Sequence, residues 1–439
     1  MKNMLDYFET QKEVLNNRIA DLGNGSPFYK RLLRRTVKKI ESGEQIDFAF
    51  YNEIPRTTKD DLKRNHPFGL LKAEKSQIRG YFESSGTTDE SIGSSKTSSL
   101  RTGNDLERDY KRRVPEWMAG VEKGDFAVIH LPYALTSSGV AFHDALSKLG
   151  IVPVALDQGH SFSSYSRVYD LLKTLEAKVL VCSNPLLLRD IILYEQKEDL
   201  FKLPSLQYIL MVGTAFSEKS RRLIEERSGK KVGLFYGMSE FGAIGVPCSK
   251  GHVHIHPDFF IEILNPNNTE EHYSQSSLGG EMVLTDLKSE GTPFLKYRTG
   301  DAGRIYFEEC GCEMHTPRIE VFGRLKDVIK DNDKLLFPTD FQDLLAGLEH
   351  TSPIHKLVAK GEEEILLELH IQQVTESKEE LDIIEDRIKS LTNIPISIIT
   401  YKFGELFEDI YNQGFYRTTQ KVKTMSFHDE RKGEWIITY

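Results

Sequence analysis

Two groups of residues have types and spacings that could do chemistry. The first is the stretch from Ser84 to Ser99, dominated by serine and threonine and carrying Gly86 and Gly93. Such a loop offers backbone N–H groups and hydroxyls to phosphate oxygens, and Gly86 permits close backbone approach. Its composition also suits a polar linker, and it lacks the Gly-Lys-Ser/Thr ending of a P-loop. The second group is Cys248 and His254 in PCSKGHVH, with Cys310 and Cys312 in ECGCEMH further along. Three thiols and an imidazole suit tetrahedral Zn²⁺; buried free cysteines are the competing reading, and His252 and His315 are competing ligands. With all four positions filled by protein, the metal would be structural.

Four cysteines in 439 residues do not make a disulfide framework. A net charge of −9 without a long Lys/Arg block argues against nucleic acid as a partner. The opening MKNMLDYFETQKEVLNNRIADL is too polar for a secretory leader, and no run approaches the roughly 18 apolar residues of a membrane span. The expectation is a soluble cytoplasmic protein with no membrane partner.

The elements that must position these groups follow from periodicity. In the opening 55 residues, Leu5, Phe8, Val14, Leu15, Ile19 and Leu22 recur at helical spacing ahead of a Gly-Ser-Pro turn. From 126 to 236, FAVIHL, IVPVAL, KVLVC, LQYILMV and KVGLFYG alternate with helix-length segments, which predicts a mainly parallel α/β sheet. From about 253 to 323, FFIEIL, EMVLTD, FLKYRT, GRIYF and RIEVFG follow one another across turns without helices, predicting an antiparallel or barrel-like part. HKLVAK, EILLELHI and ISIITY, around a charged helix near 376 to 391, predict a small α+β domain. The fold class is therefore α/β. A large domain spans 1–325 with its β-rich part, and a small mobile α+β domain spans 326–439.

Ser84, Ser85, Gly86, Thr87 and Thr88, followed by Lys96, resemble the phosphate loop of the adenylate-forming superfamily of acyl- and aryl-CoA ligases, peptide-synthetase adenylation domains and luciferases. YGMSE at 236–240, YRTGD at 297–301 and GRLKD at 323–327 match further motifs in the same order. NGSPFYKRLL, GTAFSE at 213–218, HIHPDFFIEIL and the CGC…HTPRI run resemble the phenylacetate–coenzyme A ligase branch.

The resemblance implies ATP-dependent activation of a small carboxylic acid as an acyl-adenylate, with ATP, AMP and Mg²⁺ as cofactors. It places Gly213, Thr214, Ala215, Tyr236, Gly237 and Met238 around the nucleotide, with Tyr236 stacking on adenine. Ser239 would reach the α-phosphate, Glu240 would hold Mg²⁺, Asp301 would bind the ribose hydroxyls, and Arg324 would lie near the ribose. Lys326 falls at the hinge of the mobile domain, and Lys421, with Lys423 as the other candidate, would bridge carboxylate and α-phosphate. Tyr133, Leu135 and His143 align with the acyl pocket, though strand–helix core explains them equally. The branch also implies Zn²⁺ at Cys248, His254, Cys310 and Cys312.

Some positions depart from the pattern. Asp89-Glu90 follow Thr88 where glycine is usual, Gln420 replaces the glycine before the lysine, and IKDNDKLLFP lacks the glycine that gives the pantetheine arm of coenzyme A room. The leading expectation is an AMP-forming acid–thiol ligase using coenzyme A. The alternatives are transfer to a carrier protein or an enzyme cysteine, adenylation of a cofactor, and a degenerate nucleotide- or acyl-binding sensor. A homodimer is compatible with each.

Overall fold

A computed structural model describes residues 3–44, 46–83, 97–115, 117–158, 164–265, 268–272, 279–331, 334–361, 365–406 and 425–429. Ser84, Ser85, Gly86, Thr87, Thr88, Asp89, Glu90, Lys96, Gln420, Lys421 and Lys423 lie outside the described residues. No helix among the described residues is long and apolar enough to cross a membrane. The chain forms two compact units, each assembled from separated stretches.

The first unit comprises Met1–Trp117, Ala134–Ala145 and Phe235–Glu320. Its opening helix, Met4–Gly25, starts where the Asn3 side chain accepts from the Asp6 N–H, and the next helix begins at Pro27. Phe8, Leu15, Ile19 and Leu22 are buried as their spacing requires, but Leu5 is 49% exposed and Met4 and Tyr7 face inward instead. Tyr7 stacks on Phe260 at 4.8 Å and its hydroxyl donates to the Phe259 carbonyl, so the helix lies against the β-rich part.

That part is antiparallel: Phe259–Asn265 pairs with Gly280–Asp286, which pairs with Tyr297–Tyr306. Arg318 and Ile319 pair with Val253–Ile255, which pairs with Gly242–Pro247. Phe259 through Leu264 are buried without alternation, as expected of a strand covered on both faces.

The sequence predicts two strands, FLKYRT and GRIYF, separated by a Thr-Gly-Asp turn. The structure has one, Tyr297–Tyr306. Its ladder shifts register between Glu281↔Ala302 and Val283↔Arg298, and Gly300 sits at φ +69°. Thr299-Gly300-Asp301 is therefore a bulge. Three residues there oppose the single Met282, and the left-handed glycine helps absorb the two extra residues while strand pairing continues on both sides.

The second unit comprises Met118–Tyr133, Leu146–Leu234 and Val321–Tyr439. Val152–Ala155, Phe126–His130, Val179–Cys182 and Tyr208–Val212 lie side by side in parallel, as the apolar runs predict. Helices Tyr165–Thr174, Pro185–Gln196 and Glu218–Ser228 supply the buried face that packs on them. A four-stranded sheet runs in the order Ile396–Lys402, Leu366–Gln373, Thr351–Lys360, Met425–Asp429. Helices Pro338–Leu345 and Lys378–Leu391 complete its own core around Phe341, Leu369 and Ile384.

Ile354 and Leu406 join the core of the parallel sheet, and beside them the Ser352 hydroxyl donates to Asp190 at 2.6 Å. Burial pushes the Asp190 carboxyl up from 3.8 to about 6, against the pull of Ser352 and Arg189. A raised carboxyl value means that the protonated form is the one the fold favours. Its contribution is full below about pH 4 and is lost as pH rises through 6. Asp190→Asn is expected to stabilise by about 1–3 kcal/mol at pH 8 and by nothing at pH 4, measured by calorimetric melting across that range.

Candidate nucleotide site and cysteine–histidine cluster

The strand Lys231–Met238 ends in a turn that belongs to the first unit and is closed by the Phe241 N–H donating to the Met238 carbonyl at 3.1 Å. Ser239 and Glu240 occupy that turn. Gly242 leaves it at φ +80°, where an added Cβ would lie 2.4 Å from the Asp109 carboxylate, so the return strand needs glycine on two counts.

Three sequence motifs meet here. The Tyr236 hydroxyl donates to Asp301 Oδ2 at 2.9 Å. The Thr97 hydroxyl donates to Glu240 Oε1 at 3.3 Å, and the Ser99 hydroxyl donates to the Ser239 carbonyl at 3.1 Å. Tyr236, Glu240 and Asp301 are all buried.

The bulge explains how a strand residue comes to face Tyr236. Thr299 Oγ1 donates to the Met282 carbonyl at 2.7 Å and accepts from the Asp301 N–H at 3.0 Å, which fixes the bulged residues. A tyrosine and two carboxylates, joined to the end of a Ser/Thr-rich segment, can hold an aromatic base, a pair of hydroxyls and a hard cation. Glu240 fits Mg²⁺ as one oxygen ligand, since a cation of this kind takes one or two protein carboxylates alongside substrate phosphates.

Cys248 follows the strand Gly242–Pro247, and Cys310 and Cys312 lie in the loop between Tyr297–Tyr306 and Arg318–Arg324. His254 pairs with Arg318 across the ladder. The register thus brings both segments to one edge. The ligand atoms of Cys248, His254, Cys310 and Cys312 all lie within 4.8 Å of one another.

The sulfurs of Cys248 and Cys310 are 3.8 Å apart, and Cys312 Sγ is 3.4 Å from His254 Nε2. Tetrahedral Zn²⁺ with bonds of about 2.3 Å to sulfur and about 2.0 Å to nitrogen requires edges of about 3.8 and about 3.5 Å. His254 Nδ1 lies 2.7 Å from the Thr316 carbonyl, which accepts its proton and leaves Nε2 as the ligand atom. The set fits the metal. His252 sits against Cys310 with Nδ1 3.1 Å from the sulfur, and His315 is exposed.

The chain matches no protein-family model. It is 26% identical over 364 residues to a phenylacetate-coenzyme A ligase of Thermus thermophilus, covering 80% of this chain and 78% of that one. It is 24% identical over 347 residues to the phenylacetate-coenzyme A ligase of Escherichia coli K12, covering 75% and 74%. A crystal structure of 2-hydroxyisobutyryl-CoA ligase in the postadenylation state superposes with a TM-score of 0.74 at 17% identity, covering 95% of this chain and 94% of that one. The fold is that of the adenylate-forming ligases.

In this ligase fold the second unit carries the other expected nucleotide positions. Gly213, at φ +92°, Thr214 and Ala215 follow the buried strand Tyr208–Val212. The Thr214 hydroxyl oxygen is buried with no hydrogen-bond partner among the described residues, as suits a group directed at a ligand. Arg324 ends the strand Arg318–Arg324, and Lys326 lies in the single turn Leu325–Asp327.

The candidate acyl-pocket residues are divided. Tyr133 belongs to the second unit, where its N–H donates to Asp157 at 3.0 Å, while Leu135 and His143 belong to the first. Leu135 is 51% exposed at φ +58°. Thr97 and Ser99 were visible in the sequence as part of the Ser/Thr run. Arg101, on the strand Ser98–Thr102, and Asp109, on the helix Gly103–Arg112, support the same turn and carried no sequence signal beyond ordinary surface charges.

Proposed function

We propose that this protein activates a carboxylic acid with ATP as an acyl-adenylate and transfers the acyl group to coenzyme A, with an aryl acid of the phenylacetate kind as the expected substrate class. The observation that carries this reading is the convergence of Tyr236, Asp301 and Glu240 with the end of the Ser/Thr-rich segment. The similarity to phenylacetate-coenzyme A ligases over most of both chains supports the same chemistry and the thiol acceptor.

Asp301 accepts from the two ribose hydroxyls, and Tyr236, oriented by Asp301, gives its ring face to adenine. Ser84 to Thr88 and Lys96 hold the outer phosphates, Ser239 faces the α-phosphate, and Arg324 lies near the ribose. Glu240 is the Mg²⁺ ligand; the ion, when bound, neutralises phosphate charge. Attack of the carboxylate oxygen on the α-phosphorus forms the mixed anhydride as the bond to pyrophosphate breaks. Lys421 screens both anions along that path. Attack of a thiolate sulfur on the acyl carbon then forms the thioester and releases AMP. The part from 326 onward turns about Lys326 between the two steps. Cys248, His254, Cys310 and Cys312 hold a structural Zn²⁺.

ATP–pyrophosphate exchange with a panel of aryl and alkyl acids tests the first step, and AMP release with and without coenzyme A tests the second. Exchange with no acid overturns the reading. AMP release that coenzyme A does not stimulate moves the acceptor to a carrier protein, as IKDNDKLLFP without its glycine would suit. Lys421→Ala is expected to lower acid-dependent exchange by about 10²-fold or more while leaving thioester formation from supplied acyl-adenylate intact. If exchange persists, Lys423 takes the role.

A further inference from the structure

The turn that carries Ser239 and Glu240 rests on a buried ion-pair group outside the motifs. Arg101 NH2 donates to the Ser239 carbonyl at 2.7 Å, and its NH1 donates to Asp109 at 3.0 Å. Asp109 also accepts from the Ala243 N–H at 2.9 Å, just past the turn. Arg113 donates to both Asp109 oxygens at 3.1 and 3.2 Å, and the Phe82 ring covers Arg101 with its centroid 4.8 Å away. Arg101 is 5% exposed and Asp109 1%. One side of the turn is thus held through a carbonyl and the other through an amide, both tied to the same carboxylate.

The Ser239 carbonyl and the Glu240 N–H share one rigid peptide plane. Arg101 and Ser99 together place two donors on that carbonyl, at 2.7 and 3.1 Å, filling both of its lone pairs. Fixing the oxygen fixes the plane, and with it the direction in which the Glu240 side chain leaves the backbone. Thr97 then sets the carboxylate itself.

We propose that Arg101, anchored by Asp109, is a positioning residue that aims Glu240 at the metal–triphosphate; this rests on the reading of Glu240 as the Mg²⁺ ligand. Burial pushes the Asp109 carboxyl up, but Arg113, Arg101 and Arg112 outweigh it and hold the group at about 2, so the anchor stays charged at any working pH.

The test is binding by calorimetry. The affinity for ATP is measured with and without Mg²⁺, and the affinity for AMP without metal, on the wild-type chain and on Arg101→Gln, Arg101→Lys and Glu240→Gln. In the wild type Mg²⁺ is expected to tighten ATP binding. Arg101→Gln is expected to lose about tenfold of that enhancement, Arg101→Lys to recover part of it, and AMP affinity to stay within about twofold, because the Tyr236–Asp301 pair is untouched. If Glu240→Gln loses the enhancement and Arg101→Gln keeps it, the positioning role fails while the nucleotide reading stands. If both keep it, the assignment of Glu240 fails and the inference falls with it. Should Arg101→Gln not fold, Ser99→Ala decides on the same ratio: about threefold loss supports the role, and no change overturns it.

Discussion

Asp301→Ala is expected to lower ATP–pyrophosphate exchange by about 10²- to 10⁴-fold and to erase discrimination between ATP and 2′-deoxy-ATP. Two ribose hydroxyls on one carboxylate make two charge-assisted hydrogen bonds, each worth about 1.5–3 kcal/mol. The same change removes the 2.9 Å acceptor of the buried Tyr236 hydroxyl and leaves it the weaker Met238 sulfur at 3.8 Å, at a further cost of about 1–3 kcal/mol. Part of that second cost is relieved by reorientation or by water. Tyr236→Phe separates the terms: it removes the hydroxyl, keeps the ring for adenine, and should cost about three- to tenfold. The decisive readout is the ratio of kcat/KM for ATP and 2′-deoxy-ATP. A wild-type preference that survives in Asp301→Ala removes Asp301 from the ribose.

The cysteine–histidine cluster carries the second large effect. The purified chain is expected to contain one Zn²⁺ per molecule by elemental analysis and to lose about 10–30 °C in Tm on strong chelation. Structural zinc contributes about 10–16 kcal/mol in peptides that fold only around the metal. Here the strands beside the cluster belong to a larger core, so about half that figure is expected, at about 2–4 °C for each kcal/mol. His254→Ala and Cys310→Ser should abolish retention, whereas His315→Ala should not, because His315 is exposed and outside the group. Nucleotide affinity of the remaining folded protein should be unchanged. A zinc-free protein whose Tm ignores the chelator contradicts the assignment.

The parallel strands were legible because each is a short apolar run with turn signals at its ends. The strands Val179–Cys182 and Tyr208–Val212, buried at every residue, are the clearest. The Thr-Gly-Asp bulge was not legible. A glycine between two β-rich stretches reads locally as a turn, and only pairing with Gly280–Asp286 on another strand turns it into a bulge. For the cysteines, spacing named the ligand types, but their meeting depends on the Arg318↔His254 register, which no local pattern encodes.

Leu5 shows the limit of periodicity. It shares the helical spacing of its apolar neighbours, yet Met4 and Tyr7 lie nearer the centre of the face that meets Phe260. The Arg101–Asp109 pair was hidden for a related reason. An arginine in the polar strand Ser98–Thr102 and an aspartate on the charged helix Gly103–Arg112 normally read as solvated, and only the packing of Gly242 against Asp109 reveals the burial.

The interleaving of the second unit bears on how the protein is made. Its core around the helix Pro185–Gln196 takes in Ile354 and Leu406, from stretches synthesised long after the helix itself. At ribosomal rates of about 5–20 residues per second, the apolar surface of that helix waits on the order of 10–40 s for its last partners. During that interval the nascent chain presents a greasy helix face with no covering strand, a target for holding chaperones. Slowing elongation before codon 406 should therefore lower the soluble yield more than slowing it after.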